Sequence, residues 1–539
     1  MAIFVKKRKC LMATNDEIRL KLTVSKMNIH RSTKLETIAA QRIVRNLDSF
    51  LDPQYSETRN VMLLPIAQRN IVLRQWLMFS QFSEVKKRPF SYDDCVEIFK
   101  KRMKVFQSLV SCHTLEVDLA PLIADSNNNC LASGQLFKCL KLIGAKATNL
   151  KALILTDPDQ NLEELNNKTL CNAIGKLQNL TTLYISETQI DYSNLKEMCK
   201  NLKSLTHLST TIYFNPYFDE SNEREIEELQ QIFSNLIHFE TFGKEEKFTL
   251  NCIQHLPKLQ CADNLRCPLN AYMIEELLDR CPNQKFALTR VALTEPSIYN
   301  KEIHLKFPDV NDLKVLYCPS DGFTIPNSLT KFSKIENLTL TDIPSEYTMI
   351  PYIDAYGHGL RSLRLNWCSF QFKLSSILDR CPKLESLYLD NVSILPECSM
   401  PDIQYSFSTG LTELHWFPGD DHAPLLLDIL SVPTLECVTL EITCECVQLE
   451  DIEKLTAMIA SRQILGNLKR LEIMTYNMYM DSNHRVFRAL SDFIKSASAF
   501  LPHLTDLETN ILSNVEIEMN SDASLEVATL KKFIDVYEI

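Results

Sequence analysis

One apolar spacing, L-x-x-L-x-L, recurs along most of this 539-residue chain. Its clearest copies are Leu384/Leu387/Leu389, Leu360/Leu363/Leu365, Leu468/Leu471/Ile473 and Leu180/Leu183/Ile185. Further copies begin at Leu150, Leu288, Ile335 and Leu435, and looser ones at Leu205, Leu236, Leu259, Leu313, Leu411 and Leu504. These 14 frames recur about every 27 residues, a period typical of repeat architectures. Such a chain is expected to fold as a stack of similar units.

The uneven spacing of the motif is explained by a short strand. Positions four and six lie on one side of the strand, and position one enters the same interior from the preceding turn. Helix-like segments with apolar residues three and four apart separate the motifs, for example NAYMIEELLDRCP and DIEKLTAMIAS. One strand and one helix per unit predict a curved α/β solenoid, with parallel strands on the concave face and helices on the convex face.

Two predicted helices end in the same way, as LLDRCPNQ (277–284) and ILDRCPKL (377–384). Proline cannot continue a helix, and Cys281 and Cys381 are small enough to pack under the next turn. Together with the leucine motif that follows, this phrase resembles the cysteine-containing leucine-rich repeats (LRRs) of F-box/LRR substrate receptors. The resemblance covers residues 111–539 and implies an LRR solenoid whose concave face binds a target protein.

The segment before the repeats is predicted to be helical. It spans residues 31–110 and follows an N-terminal tail of residues 1–30. In STKLETIAAQRIVRNLDSFL, Thr33 and Glu36 form a capping box for an amphipathic helix. The stretch LLPIAQRNIVLRQWLM (63–78) predicts a second helix. Helices in this position are expected to cap the solenoid, because the first repeat otherwise exposes its core.

These helices also carry a second resemblance. The pattern Leu35-x-x-x-Ala39-x-x-x-Ile43 is similar to the elongin-C-binding box of LRR substrate receptors in cullin-RING ubiquitin ligases. That box prefers Ser or Thr before the leucine and Cys in the middle. Leu64-Pro65 before an apolar helix resembles the opening of a cullin box or an F-box, which implies recruitment of a cullin through elongin C or Skp. Capping and docking require the same apolar stripe, so both interpretations stay open.

The composition argues against several function classes. The formal charge is −11, from 57 basic and 68 acidic residues, so nucleic acid is not an expected partner. Ten glycines are few for a nucleotide-binding protein. The 18 cysteines contain no CxxC pair, which argues against a zinc knuckle or a disulfide framework and favours reduced thiols inside the cell.

The sequence predicts a cytoplasmic or nuclear protein. Its start, MAIFVKKRKCLM, lacks the apolar core of a signal peptide. No window is long and apolar enough for a membrane span, so no membrane partner is expected.

No enzyme signature is found. HExxH, GxSxG, a P-loop and GxGxxG are absent, and the 11 histidines show no paired metal spacing. We interpret His358 in YGHGL as a turn residue and the acidic run FDESNEREIEELQQ (218–231) as a solvated helix face. The expectation is therefore a protein without a cofactor, a metal site or enzymatic activity.

The candidate binding residues flank the inward leucines of the predicted strands. They are Tyr184, Arg290, Tyr317, Arg364, Tyr388, His415 and Arg470. Tyrosine and arginine often supply binding energy at protein interfaces, although tyrosine is also favoured in any exposed strand. As a stripe, these residues predict a protein-binding concave face.

The sequence therefore predicts a protein-binding LRR protein that serves as a substrate-recognition subunit of a cullin-RING E3 ubiquitin ligase. Its mechanism would be to hold a target near the ligase. The alternative is a stand-alone LRR scaffold or inhibitor, in which the N-terminal helices act only as a cap. A GTPase-activating LRR protein is a third option, but no loop residue stands out as one that would enter a partner's site.

Overall fold

The structure is a computed structural model that divides into two compact units, residues 1–259 and 260–539. It describes residues 39–40, 42–44, 47, 64–82, 92–123, 129–155, 167–214, 218–219, 221–241, 246–264, 271–294, 302–317, 327–395, 410–417, 426–443, 447–476, 484–504 and 506–509. The division falls inside the predicted repeat region, 111–539. The predicted tail, residues 1–30, lies outside the described residues.

The first unit alternates helices with parallel strands. Its helices are α1 (Ile66–Phe82), α2 (Tyr92–Leu109), α3 (Asn129–Lys146), α4 (Asn167–Ile174), α5 (Tyr192–Asn201), α6 (Glu223–Phe233) and α7 (Glu246–His255). Its strands are β1 (Glu116–Asp118), β2 (Ala152–Leu155), β3 (Thr182–Asp191), β4 (His207–Tyr213) and β5 (His238–Thr241). They pair in chain order, each parallel to the next.

The second unit repeats the same plan. Its strands are β6 (Cys261–Asn264), β7 (Arg290–Thr294), β8 (Asp312–Leu316), β9 (Asn337–Thr341), β10 (Ser362–Asn366), β11 (Gln371–Lys373), β12 (Ser386–Asp390), β13 (Ser393–Leu395), β14 (Glu413–Phe417), β15 (Cys437–Thr443), β16 (Arg470–Tyr476) and β17 (Asp506–Thr509). Its helices are α8 (Ala271–Arg280), α9 (Ile303–Lys306), α10 (Glu346–Tyr356), α11 (Leu374–Leu378), α12 (Leu426–Leu430), α13 (Leu449–Ala460) and α14 (His484–Phe500). The main sheet has the order β7-β8-β9-β10-β12-β14-β15-β16-β17, and β11 pairs separately with β13.

The register confirms the leucine-rich repeat fold. Motif position four occupies one buried row in each sheet. In the first unit that row is Val117, Leu153, Leu183, Leu208 and Phe239. In the second it includes Val291, Leu313, Leu338, Leu363, Leu387, Leu414, Val438 and Leu471. Because these side chains are at most 1% exposed, they form the dry interior that the spacing predicts.

An asparagine before the motif ties successive coils together. The side-chain amide of Asn149 donates to the Cys112 carbonyl, and that of Asn179 to the Thr148 carbonyl, each at 2.9 Å. Asn235 and Asn467 make the same type of bond to the preceding coil at 3.1 Å. Each bond gives a hydrogen-bond donor to a turn carbonyl of the preceding coil that has no partner in a strand.

The cysteines of the two Cys-Pro turns differ in burial. Cys381 is fully buried, and its N–H donates to the Ile377 carbonyl at the end of α11. Cys281 is half-buried, and its N–H bonds the Leu277 carbonyl in the same way. Both residues close the last turn of a helix, which agrees with the packing role inferred from the sequence.

One frame is wrong by three residues. The register aligns Leu313 with Leu338 and Val315 with Leu340, so Leu313 occupies position four rather than position one. Tyr317, the residue after β8, therefore lies on the same inward side as Leu313 and Val315 and is only 5% exposed. This corrects the outward orientation expected for it. The local sequence allowed both frames because Val310, Leu313 and Leu316 are all apolar.

Among the described residues, no helix combines the length and the apolar character needed to cross a membrane.

The corrected frame predicts unequal effects of substitutions along β8. Leu313→Ala should lower the free energy of unfolding by about 3 kcal/mol, since it removes a fully buried side chain. Leu316→Ala and Lys314→Ala, on the opposite side of the strand, should each change it by less than about 1 kcal/mol. Urea unfolding of the full chain measures the difference. A larger loss at Leu316 than at Leu313 would restore the frame read from the sequence.

Candidate functional site

The open face is the side of the second unit's sheet that lies opposite the buried motif residues. Three rows of aligned side chains define it. The first row is Arg290, Asp312, Asn337, Ser362, Ser386, Glu413, Cys437, Arg470 and Asp506. The second is Ala292, Lys314, Thr339, Arg364, Tyr388, His415, Thr439 and Glu472. The third includes Thr294, Leu316, Thr341, Asn366, Asp390, Phe417, Glu441 and Met474.

Three candidate residues form a stack at the centre of the open face. Arg364 on β10, Tyr388 on β12 and His415 on β14 are neighbours in the second row. The Arg364 guanidinium carbon lies 4.5 Å from the centre of the Tyr388 ring. The Tyr388 and His415 rings stack with centroids 4.2 Å apart and planes 10° apart. We call this set the ladder; each contact is of a type that contributes about 0.5–1.5 kcal/mol.

Glu413 anchors the ladder from the first row. One carboxylate oxygen lies 3.0 Å from His415 Nε2, and the other accepts a 2.6 Å bond from Ser386 Oγ. The hydrogen bond to His415, helped by Ser386 and Tyr388, lowers the pKa of Glu413 to about 2 against the opposing effect of burial. The ladder is therefore held from its own sheet before any partner arrives.

The two outer arginine candidates are engaged in ion pairs. Arg290 Nε donates to Asp312 Oδ2 at 2.8 Å on the neighbouring strand. A terminal nitrogen of Arg470 lies 3.0 Å from Glu472 Oε2, and its Nε lies 3.6 Å from Asp506 Oδ2. Both arginines belong to the first row. Strands β8 and β9 separate Arg290 from the ladder, and β15 separates Arg470 from it.

An acidic group in the third row escaped the sequence analysis. The Glu441 carboxyl has its pKa raised to about 7, mainly by burial and further by the negative charges of Asp390 and Glu472. Half-buried Phe417 pairs with Asp390, and Phe417 and Glu441 directly follow the last β14–β15 pair, Trp416 with Leu440. The candidate positions were limited to the first two rows, and including the residue that directly follows each motif would have found this one.

Trp367 has an unusual backbone at the edge of the open face. Its φ is +56°, and its N–H donates to the Asp390 carbonyl at 2.7 Å. Asp342 and Asn391 occupy the same left-handed position after β9 and β12, where Asp and Asn are well tolerated. A tryptophan there is strained, and strain of this kind clusters at functional sites.

Two tyrosine candidates are not part of this arrangement. Tyr184 belongs to the first unit, where the register places it on the side opposite Leu183 and Ile185, between Ile154 and Ser209. It is nevertheless only 6% exposed. Tyr317 lies in the core of the second unit, where burial raises its pKa. Within the described ranges, its hydroxyl has no hydrogen-bond partner.

The adaptor-docking candidates are only partly covered by the structure. Leu35 lies outside the described residues. Ala39 is exposed and Ile43 is half-buried, both in helical conformation, while Ala40 and Leu47 of the same segment are buried. Leu64 is half-buried and Pro65 is exposed, and the Pro65 carbonyl accepts the Arg69 N–H at 3.0 Å as α1 begins. Ala39, Ile43, Leu64 and Pro65 therefore keep accessible surface.

Across the described ranges, no three His, Cys, Asp or Glu side chains converge in a way that could hold a metal ion.

The two carboxylates of the open face should respond to pH with opposite signs. Glu413 has a folded pKa below its ordinary 4.5, so it stabilises the fold above pH 4.5 and loses that effect as the pH falls towards 2. Glu413→Gln should therefore lower the free energy of unfolding by about 1 kcal/mol at pH 7, given its partial exposure, and by less at pH 3.

Glu441 has a folded pKa above 4.5, so its ionised form destabilises the fold, fully above pH 7 and not at all below about 4.5. Glu441→Gln should raise the free energy of unfolding by about 1 kcal/mol at pH 8, and the gain should vanish towards pH 4.5. Denaturant unfolding of both variants from pH 3 to 8 measures this, each serving as the control for the other. If both substitutions changed the free energy of unfolding with the same sign and the same pH dependence, the opposite pKa shifts assigned to Glu413 and Glu441 would be contradicted.

Comparison with known proteins yields distant structural likenesses. No protein-family model matches the chain, and no curated protein matches it significantly. Among solved structures, the yeast Rad7–Elc1 complex shows 13% identity and a TM-score of 0.32 over 91% of this chain and 97% of that chain. The TLR13–ssRNA13 complex shows 15% identity and a TM-score of 0.30 over 70% of this chain, which spans about half (54%) of the TLR13 chain. An internalin (InlF) from Listeria monocytogenes shows 16% identity and a TM-score of 0.24, over 66% of this chain and 81% of that one. Such likenesses leave function undecided, and the strand register establishes the fold.

Proposed function

We propose that this chain is a non-enzymatic protein-binding LRR protein that recognises its target with the open face. The ladder of Arg364, Tyr388 and His415 carries this proposal. Its three planar side chains are half-buried and stacked, so each keeps surface for a partner. Arginine and tyrosine with a flat face and a polar edge are the side chains that most often dominate protein interfaces.

Preorganisation distinguishes the ladder from ordinary exposed strand residues. Glu413 and Ser386 hold His415 and, through the stack, Tyr388, so little side-chain entropy is lost on binding. The strained backbone of Trp367 directly follows β10, the strand that carries Arg364. Both features are expected of a surface selected for contact rather than for solubility.

We further propose that the N-terminal helices dock a ligase core, which makes the chain a substrate-recognition subunit of a cullin-RING E3 ubiquitin ligase. Leu35, Ala39 and Ile43 would contact elongin C, or Leu64 and Pro65 would open a Skp- or cullin-binding helix. The burial pattern supports this, since Ala40 and Leu47 face inward while Ala39 stays exposed. The same inward contacts also suit a plain cap, the arrangement of a stand-alone scaffold or inhibitor.

Target binding should depend on the ladder. The triple variant Arg364→Ala, Tyr388→Ala, His415→Ala should lose the specifically bound proteins that the wild type captures from cell extract, by about tenfold or more in quantitative mass spectrometry. Tyr347→Ala is the matched control, because Tyr347 is 91% exposed on α10 and lies off the sheet. An unchanged set of captured proteins for the triple variant would refute recognition by the open face.

Adaptor binding should depend on the exposed side of the N-terminal helix. Purified elongin C and Skp are each mixed with the full chain, and complex formation is followed by size-exclusion chromatography. We expect elongin C to bind, and Leu35→Asp or Ala39→Arg to abolish binding because the first removes an apolar anchor and the second blocks close helix approach. Lys100→Asp, on an exposed position of α2, is the control. If neither adaptor binds the wild type, the scaffold or inhibitor alternative holds.

A further inference from the structure

The open face carries opposite charges at its two ends. Lys314 on β8 is exposed and makes no hydrogen bond or ion pair with the described part of the chain. Towards the other end lie Glu441 on β15 and Glu472 on β16, and Asp390 on β12 lies beside the ladder. A face polarised in this way selects the orientation of a partner as well as its composition.

The acidic end suits a cationic side chain. Asp390 pairs with Phe417, and Phe417 and Glu441 are the residues that follow the last β14–β15 pair, Trp416 with Leu440. The Glu441 carboxylate has no hydrogen bond or ion pair within the described residues. A carboxylate in the same row as a half-buried aromatic residue offers an ion pair and, through the accessible part of the ring, a cation–π contact to lysine or arginine. The arginine on this side, Arg470, is already bonded to Glu472 and Asp506.

The separation of the two ends sets the length of the occupant. From β8 to β15 the sheet order is β8-β9-β10-β12-β14-β15, which corresponds to about 24 Å at the usual spacing between strands. An extended polypeptide advances about 3.3 Å per residue, so about seven residues cover this distance. The ladder lies between the two ends and offers its flat rings to the middle of such a segment.

We propose that the open face binds an extended segment of a partner protein that places a lysine or arginine against Asp390, Phe417 and Glu441 and, about seven residues away, an aspartate or glutamate against Lys314. This inference rests on the proposed function, because it specifies the chemistry of the target that the open face recognises. The segment crosses the strands, with its acidic end over β8 and its basic end over β15.

Ionisation of Glu441 makes the contact dependent on pH. The charged groups that face Glu441 are Asp390 from β12 and Glu472 from β16, the latter paired with Arg470, while β14 contributes the uncharged Phe417. All three carboxylates attract a basic side chain once they are ionised. Because the pKa of Glu441 is raised to about 7, binding of a basic segment should strengthen between pH 6 and pH 8.

The test is selection of random 16-residue peptides displayed on phage against the full wild-type chain, with the triple ladder variant as the counter-selection. We expect the enriched peptides to carry a basic and an acidic residue about seven positions apart.

For the tightest peptide, Glu441→Lys should weaken binding about tenfold or more in fluorescence anisotropy. Replacing the peptide's basic residue by glutamate should restore binding to that variant. Lys314→Glu should likewise weaken binding of this peptide, and replacing the peptide's acidic residue by lysine should restore it. Glu346→Lys on α10 is the control.

Each outcome decides between the two proposals. Peptides that bind the wild type and not the triple variant, but lack the charge pattern or are indifferent to Glu441→Lys, overturn this inference and leave the proposed function standing. Peptides that bind the triple variant equally well overturn both. If the selection enriches no peptide, the inference is overturned. It is also overturned if the open face is found to bind a divalent cation through its carboxylates, or a second copy of this chain, instead of a peptide.

Discussion

Burial of the motif side chains in a common interior is the constraint on which the rest of the structure depends. A single strand and helix cannot remove their apolar side from water, so each coil is stable only against its neighbours. The parallel backbone bonds between strands and the asparagine amides that reach back to the preceding coil follow from this stacking. With alternate side chains committed to the interior, the remaining ones are forced into aligned rows on the opposite face.

Alignment explains how the strands by themselves organise the described part of the open face. Side chains in one row are only about 5 Å apart across neighbouring strands, so they either stabilise or repel each other. At Glu413 the neighbours are donors, and its pKa falls. At Glu441 burial raises the pKa, and the neighbouring carboxylates of Asp390 and Glu472 raise it further. The first carboxylate is used within the sheet to hold the ladder, and the second keeps an unfavourable charge that a cationic partner would relieve.

The proposed cap role and the proposed docking role place two requirements on the N-terminal helix. Its inward side, Ala40 and Leu47, is buried, which is what a cap requires. Its other side retains Ala39 in solvent, and a small exposed residue on a helix permits close approach of another helix. One helix can serve both purposes because the two surfaces lie on different sides of its axis. Docking is therefore a question for binding experiments rather than for stability measurements.

The sequence by itself determined the repeat, the strand and helix of each unit and the parallel LRR fold, because a period of leucines is a local signal that needs no knowledge of distant residues. It also selected Arg364, Tyr388 and His415 as outward residues. The stacking of these three, the anchoring by Glu413, the carboxylates around Phe417 and the left-handed Trp367 were decided only by the tertiary structure, since they depend on which residue of one coil stands opposite which residue of the next. The frame at Leu313 failed for the same reason: where apolar residues at several offsets fit the motif, only pairing with β9 selects one.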